Sequence, residues 1–382
     1  MPTVMVSCGE ASGDLYAGAL VRAIGRRAPG ARVFGLGGEQ LRQAGAELEG
    51  DYRGLAVTGL TEALRVLPRS YAMLRRLVAR ARLERPDVFV AIDFPDFNFR
   101  LAAAVGRLGI PVVYYVSPQL WAWRPGRIRT MAAIASRVLV IFPFEAAIYE
   151  RAGVPVAFVG HPLVDLIDPG EPRARFLPGL GLDADAPTVA LLPGSRPNEV
   201  RATLPELTRA AGLIREAVPR AQFVLARAPR LDANLFASFS CSETGVVVEG
   251  LTDAVLSASD LVITASGTAT VQAALHRRPM VIVYRLSPLT YRLGRRFVTV
   301  DTFGMVNLIA GRRVVPELIQ NDFTAERVAA EAVPLLTEPG RAEAMRRDLA
   351  DVCERLGGTG ASDRAAAAVL AVAGAPPGAG KP

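Results

Sequence analysis

Three short segments hold residue types whose spacing can do chemistry. In the first, Ala91-Ile92-Asp93 closes an apolar run and Phe94-Pro95-Asp96-Phe97-Asn98 turns into a helical pattern. Two carboxylates where a strand gives way to a helix can supply a general base. Each also has a structural alternative: Asp93 can bond backbone amides at the strand end, and Asp96 can cap the next helix. In the second, Val189–Leu192 ends in Pro193-Gly194-Ser195-Arg196, with Glu199 shortly after. Small residues followed by an arginine suit a diphosphate, because the guanidinium is a planar fork of donors. In the third, Leu261–Thr264 ends in Ala265-Ser266-Gly267-Thr268-Ala269-Thr270. Ser266, Gly267 and Thr268 open a helix whose free amides and dipole can hold a phosphate, although Ser-Gly-Thr is also an ordinary helix cap. Two such turns in one unit, with no G-x-G-x-x-G and no Walker lysine, favour a nucleoside diphosphate over a dinucleotide or ATP.

Two further loops can bind a ligand without holding its phosphates. Val4-Met5-Val6 runs into Gly9-Glu10-Ala11-Ser12-Gly13-Asp14. Its glycines allow close approach of the backbone, but Glu10 and Asp14 would repel a phosphate. Tyr114-Tyr115-Val116 leads into Ser117-Pro118-Gln119-Leu120-Trp121-Ala122-Trp123, which carries both tryptophans of the chain. These aromatics can stack on a sugar or meet an acyl chain; they can equally form a packed loop core. His161 follows Val159-Gly160 near a change in chain character, and His276 sits beside Arg277 and Arg278. Two separated histidines with no H-x-H or H-E-x-x-H argue against a catalytic zinc. The cysteines (Cys8, Cys241, Cys353) are distant from one another and odd in number, which points to a reducing compartment without structural disulfides.

The elements that must position these loops alternate throughout: strand, helix, strand. Strands are predicted near Thr3–Ser7, Arg32–Gly35, Val88–Asp93, Val112–Val116, Arg137–Ile141 and Val156–Val159, then Thr188–Leu192, Gln222–Ala226, Gly245–Glu249, Leu261–Thr264 and Pro279–Val283. The expected fold is α/β: two doubly wound Rossmann-like domains facing a cleft, with ligands beyond the carboxyl ends of the strands. Residues 1–167 form the first domain and 187–340 the second. A Pro/Gly-rich linker spans 168–186, C-terminal helices 341–373 and a disordered tail 374–382.

Within 60–81, Leu60, Leu64, Leu67, Tyr71, Leu74, Val78 and Ala81 follow a four-three spacing, with arginines on the intervening faces. Such a helix packs on its own sheet or lies on anionic lipid, and Pro68 should kink it or start a new one.

The chain has 382 residues, is 51% hydrophobic and 21% charged, and carries a net charge of +7, with Lys381 its only lysine. This composition belongs to a folded protein. The arginine excess fits nucleic acid, anionic lipid or a phosphorylated substrate, or simply arginine used in place of lysine. No arginine-rich stretch is interleaved with aromatics as single-strand binders require, so nucleic acid is the weakest of these. No charged-then-apolar leader precedes the first strand, and no run of eighteen uncharged apolar residues exists; a cytoplasmic protein, at most membrane-attached, is expected.

In combination, Gly9–Asp14 (GEASGD), Ile92–Asn98 (IDFPDFN), Ser117–Trp123 (SPQLWAW), Phe142–Glu145 (FPFE), Gly160–Pro162 (GHP), Leu191–Arg196 (LLPGSR), Ser266–Thr270 (SGTAT), Asn307–Arg312 (NLIAGR) and Val315–Gln320 (VPELIQ) resemble the lipid-A-disaccharide synthases, in order from about residue 3 to about residue 330. The resemblance implies a metal-independent, cofactor-free inverting glycosyltransferase of GT-B type. It would join UDP-2,3-diacylglucosamine to 2,3-diacylglucosamine 1-phosphate through a β-1,6 linkage, releasing UDP, at the cytoplasmic face of a Gram-negative inner membrane.

Carried over by position, Asp96 is the general base for the acceptor 6-hydroxyl, with Asp93 the second carboxylate. Arg196, with Gly194 and Ser195, and the amides at Gly267 and Thr268 beside Ser266 would stabilise the departing diphosphate, and Asn307 matches a donor-site asparagine. Glu10, Ser12, Asp14, Gln119 and Trp121 fall to the acceptor. One position departs: where such enzymes place a glutamate for the ribose hydroxyls, this chain has Gln272. That predicts weaker UDP binding with activity retained, and a lower Michaelis constant for the donor on restoring glutamate. The alternatives are a nucleotide-sugar 2-epimerase, another UDP-hexosamine transferase, and an inactive sugar-nucleotide binder. Acyl-chain length and oligomeric state, a homodimer included, are not set by the sequence.

Overall fold

The computed structural model describes residues 1–55, 60–120, 126–229, 231–240, 245–285, 302 and 304–375, leaving aside the side chains of 60–65 and 240. The chain divides into two compact units, Met1–Leu166 with Leu356–Pro382, and Ile167–Arg355.

The first unit is built on a seven-stranded parallel sheet among the described residues, in the order β3-β2-β1-β4-β5-β6-β7. Its strands are β1 (Thr3–Cys8), β2 (Arg32–Gly37), β3 (Glu47–Asp51), β4 (Val88–Ile92), β5 (Val112–Tyr115), β6 (Arg137–Val140) and β7 (Val156–Phe158). β4 is apolar along its whole length and buried throughout, as a strand covered on both faces must be. β1 pairs with both β2 (Val4 opposite Val33) and β4 (Val4 opposite Val88), so the chain changes winding direction between β1 and β4. That switch point lies between the loops that carry Gly9–Asp14 and Asp93–Asn98, and it is where open α/β sheets bind ligands.

The second unit repeats the plan with six parallel strands in the order β10-β9-β8-β11-β12-β13: β8 (Thr188–Leu192), β9 (Gln222–Arg227), β10 (Gly245–Glu249), β11 (Leu261–Ala265), β12 (Met280–Tyr284) and β13 (Glu317–Ile319). Its switch point is between β8 and β11, flanked by the Pro193–Arg196 and Ser266–Thr270 turns. Both units are therefore Rossmann-like, as expected.

Two strands were not expected. β3 reads Glu-Leu-Glu-Gly-Asp, an edge strand with no buried residue, and β13 is three residues long. Neither carries an apolar run. Residues 168–186, read from the sequence as a linker, include the helix Arg173–Gly179. Arg173 ties this stretch to the second unit by donating to the carbonyls of Ala184, Ala186 and Ala258 and to Asp260. The C-terminal helices divide: Pro339–Arg355 belongs to the second unit and Ala361–Ala373 to the first, where Asp165 accepts hydrogen bonds from the amides of Gly360 and Ser362 at its start. Of the tail 374–382, residues 376–382 lie outside the described residues.

The amphipathic segment forms one helix, Leu60–Glu84, which continues through Pro68. Its second half joins the first unit's core: Leu77 and Ala81 are fully buried, with Met73, Leu74 and Val78 packed against the cluster that includes Phe34, Phe89 and Phe97. Leu67 and Tyr71 remain 48% and 61% exposed, and Arg75 lies over the Tyr71 ring. Among the described residues no helix is long and apolar enough to cross a membrane.

Candidate active site

At the first switch point the backbone is strained and stapled. Asp93, Phe94 and Val116, at the ends of β4 and β5, hold φ of 42°, 50° and 58°, a region that non-glycine residues seldom occupy and that clusters at functional sites. Asn98, fully buried one turn into the helix Pro95–Gly106, holds the arrangement in place. Its amide donates to the carbonyls of Ser7, Ile92 and Asp93, and its Oδ1 accepts from the Ser7 hydroxyl at 2.7 Å. The Tyr114 hydroxyl adds a second bond to the Asp93 carbonyl at 2.7 Å, and burial holds that phenol protonated by pushing its pKa well up. Gly9 completes the packing: a Cβ there would meet the Phe94 ring at 2.0 Å.

This staple presents Asp96 to solvent. Its side chain is 79% exposed, and Arg127 Nη1 lies 3.0 Å from Oδ1 while stacking over Phe99. The cap position of the helix is Phe94, so Asp96 stands in the first turn, where the helix dipole favours a carboxylate. Asp93 is half-buried, its amide bonded to the carbonyls of Tyr115 and Val116.

The Gly9–Asp14 loop divides differently from its sequence reading. Asp14 is 4% exposed, and its carboxylate accepts from the amides of Gly38 (2.7 Å), Gln40 (2.9 Å) and Leu41 (3.2 Å). Three amides engage both oxygens and cap the helix Glu39–Gln43 from outside it, so the buried Asp14 acts as an internal brace and is not presented to a sugar. Glu10 and Ser12 are half-buried at the start of the helix Ala11–Arg27, and Gln119 is half-buried beyond β5. Trp121 lies outside the described residues. His161 is 2% exposed between Tyr16 and Phe142, and its Nδ1 accepts from the Leu163 amide. Burial lowers its pKa to about 3, so the ring is neutral at ordinary pH.

The second switch point is built from backbone. Gly194 has φ of 126°, and a Cβ there would fall 2.6 Å from Glu199 Cβ, so the Glu199 side chain can fold back over the turn. Glu199 accepts from the Ser195 amide at 3.0 Å and meets Arg196 at 3.5 Å. It thus holds the donors a phosphate would use. Tyr284, at the end of β12, is half-buried; burial and Glu199 raise its pKa and Arg196 opposes them. On the other side of the switch point, the helix Thr268–Leu275 starts from Gly267 with no side-chain cap, and the amides at a helix start suit an anion.

Gln272, one turn further on, donates its amide to Asp253 at 2.8 Å. Asn307 is 1% exposed and braced within its own segment: it accepts from the amides of Val314 and Val315 and donates to Glu317 and the Val315 carbonyl. Every hydrogen-bonding position of that side chain is used in shaping residues 304–317. Sequence motifs did not signal Arg127 or Asp253, because each acts from an element remote in sequence and without a repeat or spacing to mark it. Among the described residues, no cluster of three or more His, Cys, Asp or Glu could hold a metal ion.

Residues 4–372 match the model of the lipid-A-disaccharide synthetase family. The lipid-A-disaccharide synthase of Geobacter metallireducens is 44% identical, covering 97% of each chain, and that of Myxococcus xanthus is 44% identical with the same coverage. The enzyme of Koribacter versatilis is 45% identical over 98% of this chain and 99% of its own. Among solved structures, the UDP-GlcNAc 2-epimerase of Neisseria meningitidis bound to UDP-GlcNAc superposes with a TM-score of 0.66 at 12% identity, covering 97% of this chain and 100% of its own. The calicheamicin glycosyltransferase CalG4 gives 0.60 at 17%, over 98% of each. These distant structures share the fold. The family match and the close relatives go further: the chain belongs to the lipid-A-disaccharide synthetase family and is a UDP-sugar glycosyltransferase of lipid A biosynthesis.

Proposed function

We propose that the enzyme transfers 2,3-diacylglucosamine from UDP to the 6-hydroxyl of 2,3-diacylglucosamine 1-phosphate with inversion at the anomeric carbon. The observation that carries this reading is the pair of switch points. One presents an exposed, arginine-held carboxylate on a stapled turn, and the other presents a helix start with no side-chain cap, an amide guarded by Glu199 and an arginine suited to a diphosphate.

Asp96 takes the proton of the acceptor hydroxyl. The oxygen forms a bond to C1 of the donor sugar as the C1–O bond to the β-phosphate breaks, and the bonding pair leaves with UDP. Attack from the face opposite an α-linked UDP gives the β-1,6 linkage. A carboxylate is a weak base, so proton transfer accompanies bond cleavage. Arg196 and the amides of Ser195, Gly267 and Thr268 stabilise the charge that develops on the diphosphate. In that state Glu199 is displaced from the Ser195 amide. Glu10, Ser12 and Gln119 remain the candidates for holding the acceptor.

The membrane part of the proposal rests on the helix Leu60–Glu84. Its buried half is committed to the core, while exposed Leu67 and Tyr71 stand among Arg69, Arg75 and Arg76. That mixture suits an anionic leaflet and supports a peripheral position at the cytoplasmic face, where acylated substrates would be met.

The test is product analysis. Purified enzyme given synthetic acylated donor and acceptor should yield a disaccharide 1-phosphate on thin-layer chromatography, with the anomeric proton coupling of a β-linkage. Turnover of unacylated UDP-GlcNAc to its 2-epimer, with no disaccharide, would replace this reading by the epimerase.

A further inference from the structure

We infer that Asp253 is a positioning residue: it holds Gln272 with its carbonyl oxygen turned toward a ribose hydroxyl of the donor, and a glutamine stands at 272 because a carboxylate there would face Asp253. The inference rests on the proposed UDP site in this unit.

Asp253 stands in the first turn of the helix Thr252–Ala258 and is a hub. Its Oδ1 accepts from Gln272 Nε2 at 2.8 Å and bonds His276 Nε2 at 2.9 Å, and its Oδ2 accepts from the Asp168 amide at 3.3 Å. The side chains of Asp253 and His276 are only 20% and 7% exposed. Hydrogen-bond chemistry fixes the orientation of the Gln272 amide. A carboxylate only accepts, so the NH2 must face Asp253, and the planar amide then sends Oε1 along its other branch. An acceptor so placed suits a hydroxyl donor.

The hub is itself held in place. The Asp168 carboxylate closes its own turn on the Gly170 amide at 2.9 Å. Gly170, at φ of 71°, lies against Ala254, so the turn rests on the helix that carries Asp253. His276, four residues after Gln272, occupies the same helix face and the same carboxylate oxygen.

Position gives the ligand. Gln272 is four residues after Thr268, so it lies on the same side of the helix, roughly 6 Å further along the axis. A diphosphate held at the first-turn amides brings the attached ribose alongside the next turn. A glutamate at 272 would set two carboxylates at hydrogen-bond distance, where one must take up a proton or swing away. Restoring glutamate is therefore expected to weaken donor binding, the reverse of what the position alone suggests.

The test is isothermal titration calorimetry on the full chain with UDP, 2′-deoxy-UDP and 3′-deoxy-UDP. Wild type should prefer UDP about fivefold over the analogue that lacks the contacted hydroxyl, the worth of one neutral hydrogen bond. Asp253→Ala and Gln272→Glu should each weaken UDP binding about fivefold and abolish the preference. The double variant Asp253→Asn/Gln272→Glu should restore both, since the asparagine introduced at 253 can donate to the new carboxylate. A purely structural Asp253 would lower thermal stability and leave the ribose preference intact; that result overturns the inference alone. So does a double variant no better than Gln272→Glu, a comparison that stands even if Asp253→Ala does not fold. Failure of wild type to bind UDP overturns the donor site, and the inference with it.

Discussion

The two switch points have the same topology and are finished with different materials. In the first unit side chains do the work: Asn98 and Tyr114 staple the end of β4, Asp14 braces the neighbouring helix Glu39–Gln43, and Asp96 stands out in solvent. In the second unit the turn is backbone, shaped by Gly194 and Gly267, with Glu199 folded over the amide it guards. A base must be held at one place by groups that do not move, whereas a diphosphate spreads charge over many oxygens and is met by many amides. The comparison therefore predicts opposite phenotypes for two carboxylates of the same unit.

Asp96→Asn should show the larger effect. Loss of a positioned base lowers kcat by about 10²- to 10⁴-fold, while the thermal midpoint stays within a degree or two, because the residue is exposed and its ion pair contributes little to folding. Retention of wild-type kcat would remove Asp96 from the chemistry. Asp14→Asn should do the reverse. Its amide group would face backbone donors, at a cost of about 2–3 kcal/mol, so the thermal midpoint falls by several degrees and the activity of the folded fraction survives. A Michaelis constant for the acceptor raised tenfold, with stability unchanged, would return Asp14 to the substrate.

His161 extends the contrast to pH. Its pKa is about 3 in the folded chain and about 6.5 when unfolded. Above pH 6.5 the ring is neutral in both states and contributes no pH dependence. Below that, the unfolded chain takes up a proton that the folded chain refuses, so stability declines as pH falls, levelling near pH 3. At pH 5 the loss is about 2 kcal/mol relative to pH 7. Denaturation of wild type and His161→Asn at both pH values should show that increment in wild type and not in the variant, whose side-chain oxygen can still accept from the Leu163 amide.

These assignments mark how far the sequence could be read. Strands with continuous apolar runs, such as β4 and β8, announce themselves, because a strand buried on both faces admits little else. Polar β3 and three-residue β13 do not, since pairing with an already formed neighbour defines them. The loops at the switch points could be singled out from position and composition. The division of labour within them was not. Asp14 and Asp96 are both acidic residues just beyond a strand, and only the amides of Gly38, Gln40 and Leu41 reveal which one is consumed internally. Gln272 was legible as a departure, but its meaning depends on Asp253, nineteen residues away.

A smaller effect than those of Asp96, Asp14 and His161 probes the second switch point most directly. Gly194→Ala puts a side chain on a residue at φ of 126° and drives its Cβ to within 2.6 Å of Glu199. Either the turn flattens or Glu199 is pushed off the Ser195 amide, and both change the cradle without removing any donor. Distorting the cradle should weaken UDP binding about tenfold, equivalent to about 1.4 kcal/mol, with kcat at saturating donor little changed, because the strain affects the bound diphosphate in ground and transition states alike. If expelling Glu199 dominates, the carboxylate that competes with phosphate is gone and UDP binds more tightly. Calorimetry with UDP on wild type, Gly194→Ala and Glu199→Gln separates the two. Tighter binding by Glu199→Gln together with weaker binding by Gly194→Ala would show that backbone shape, more than the guarding charge, makes this turn a diphosphate site.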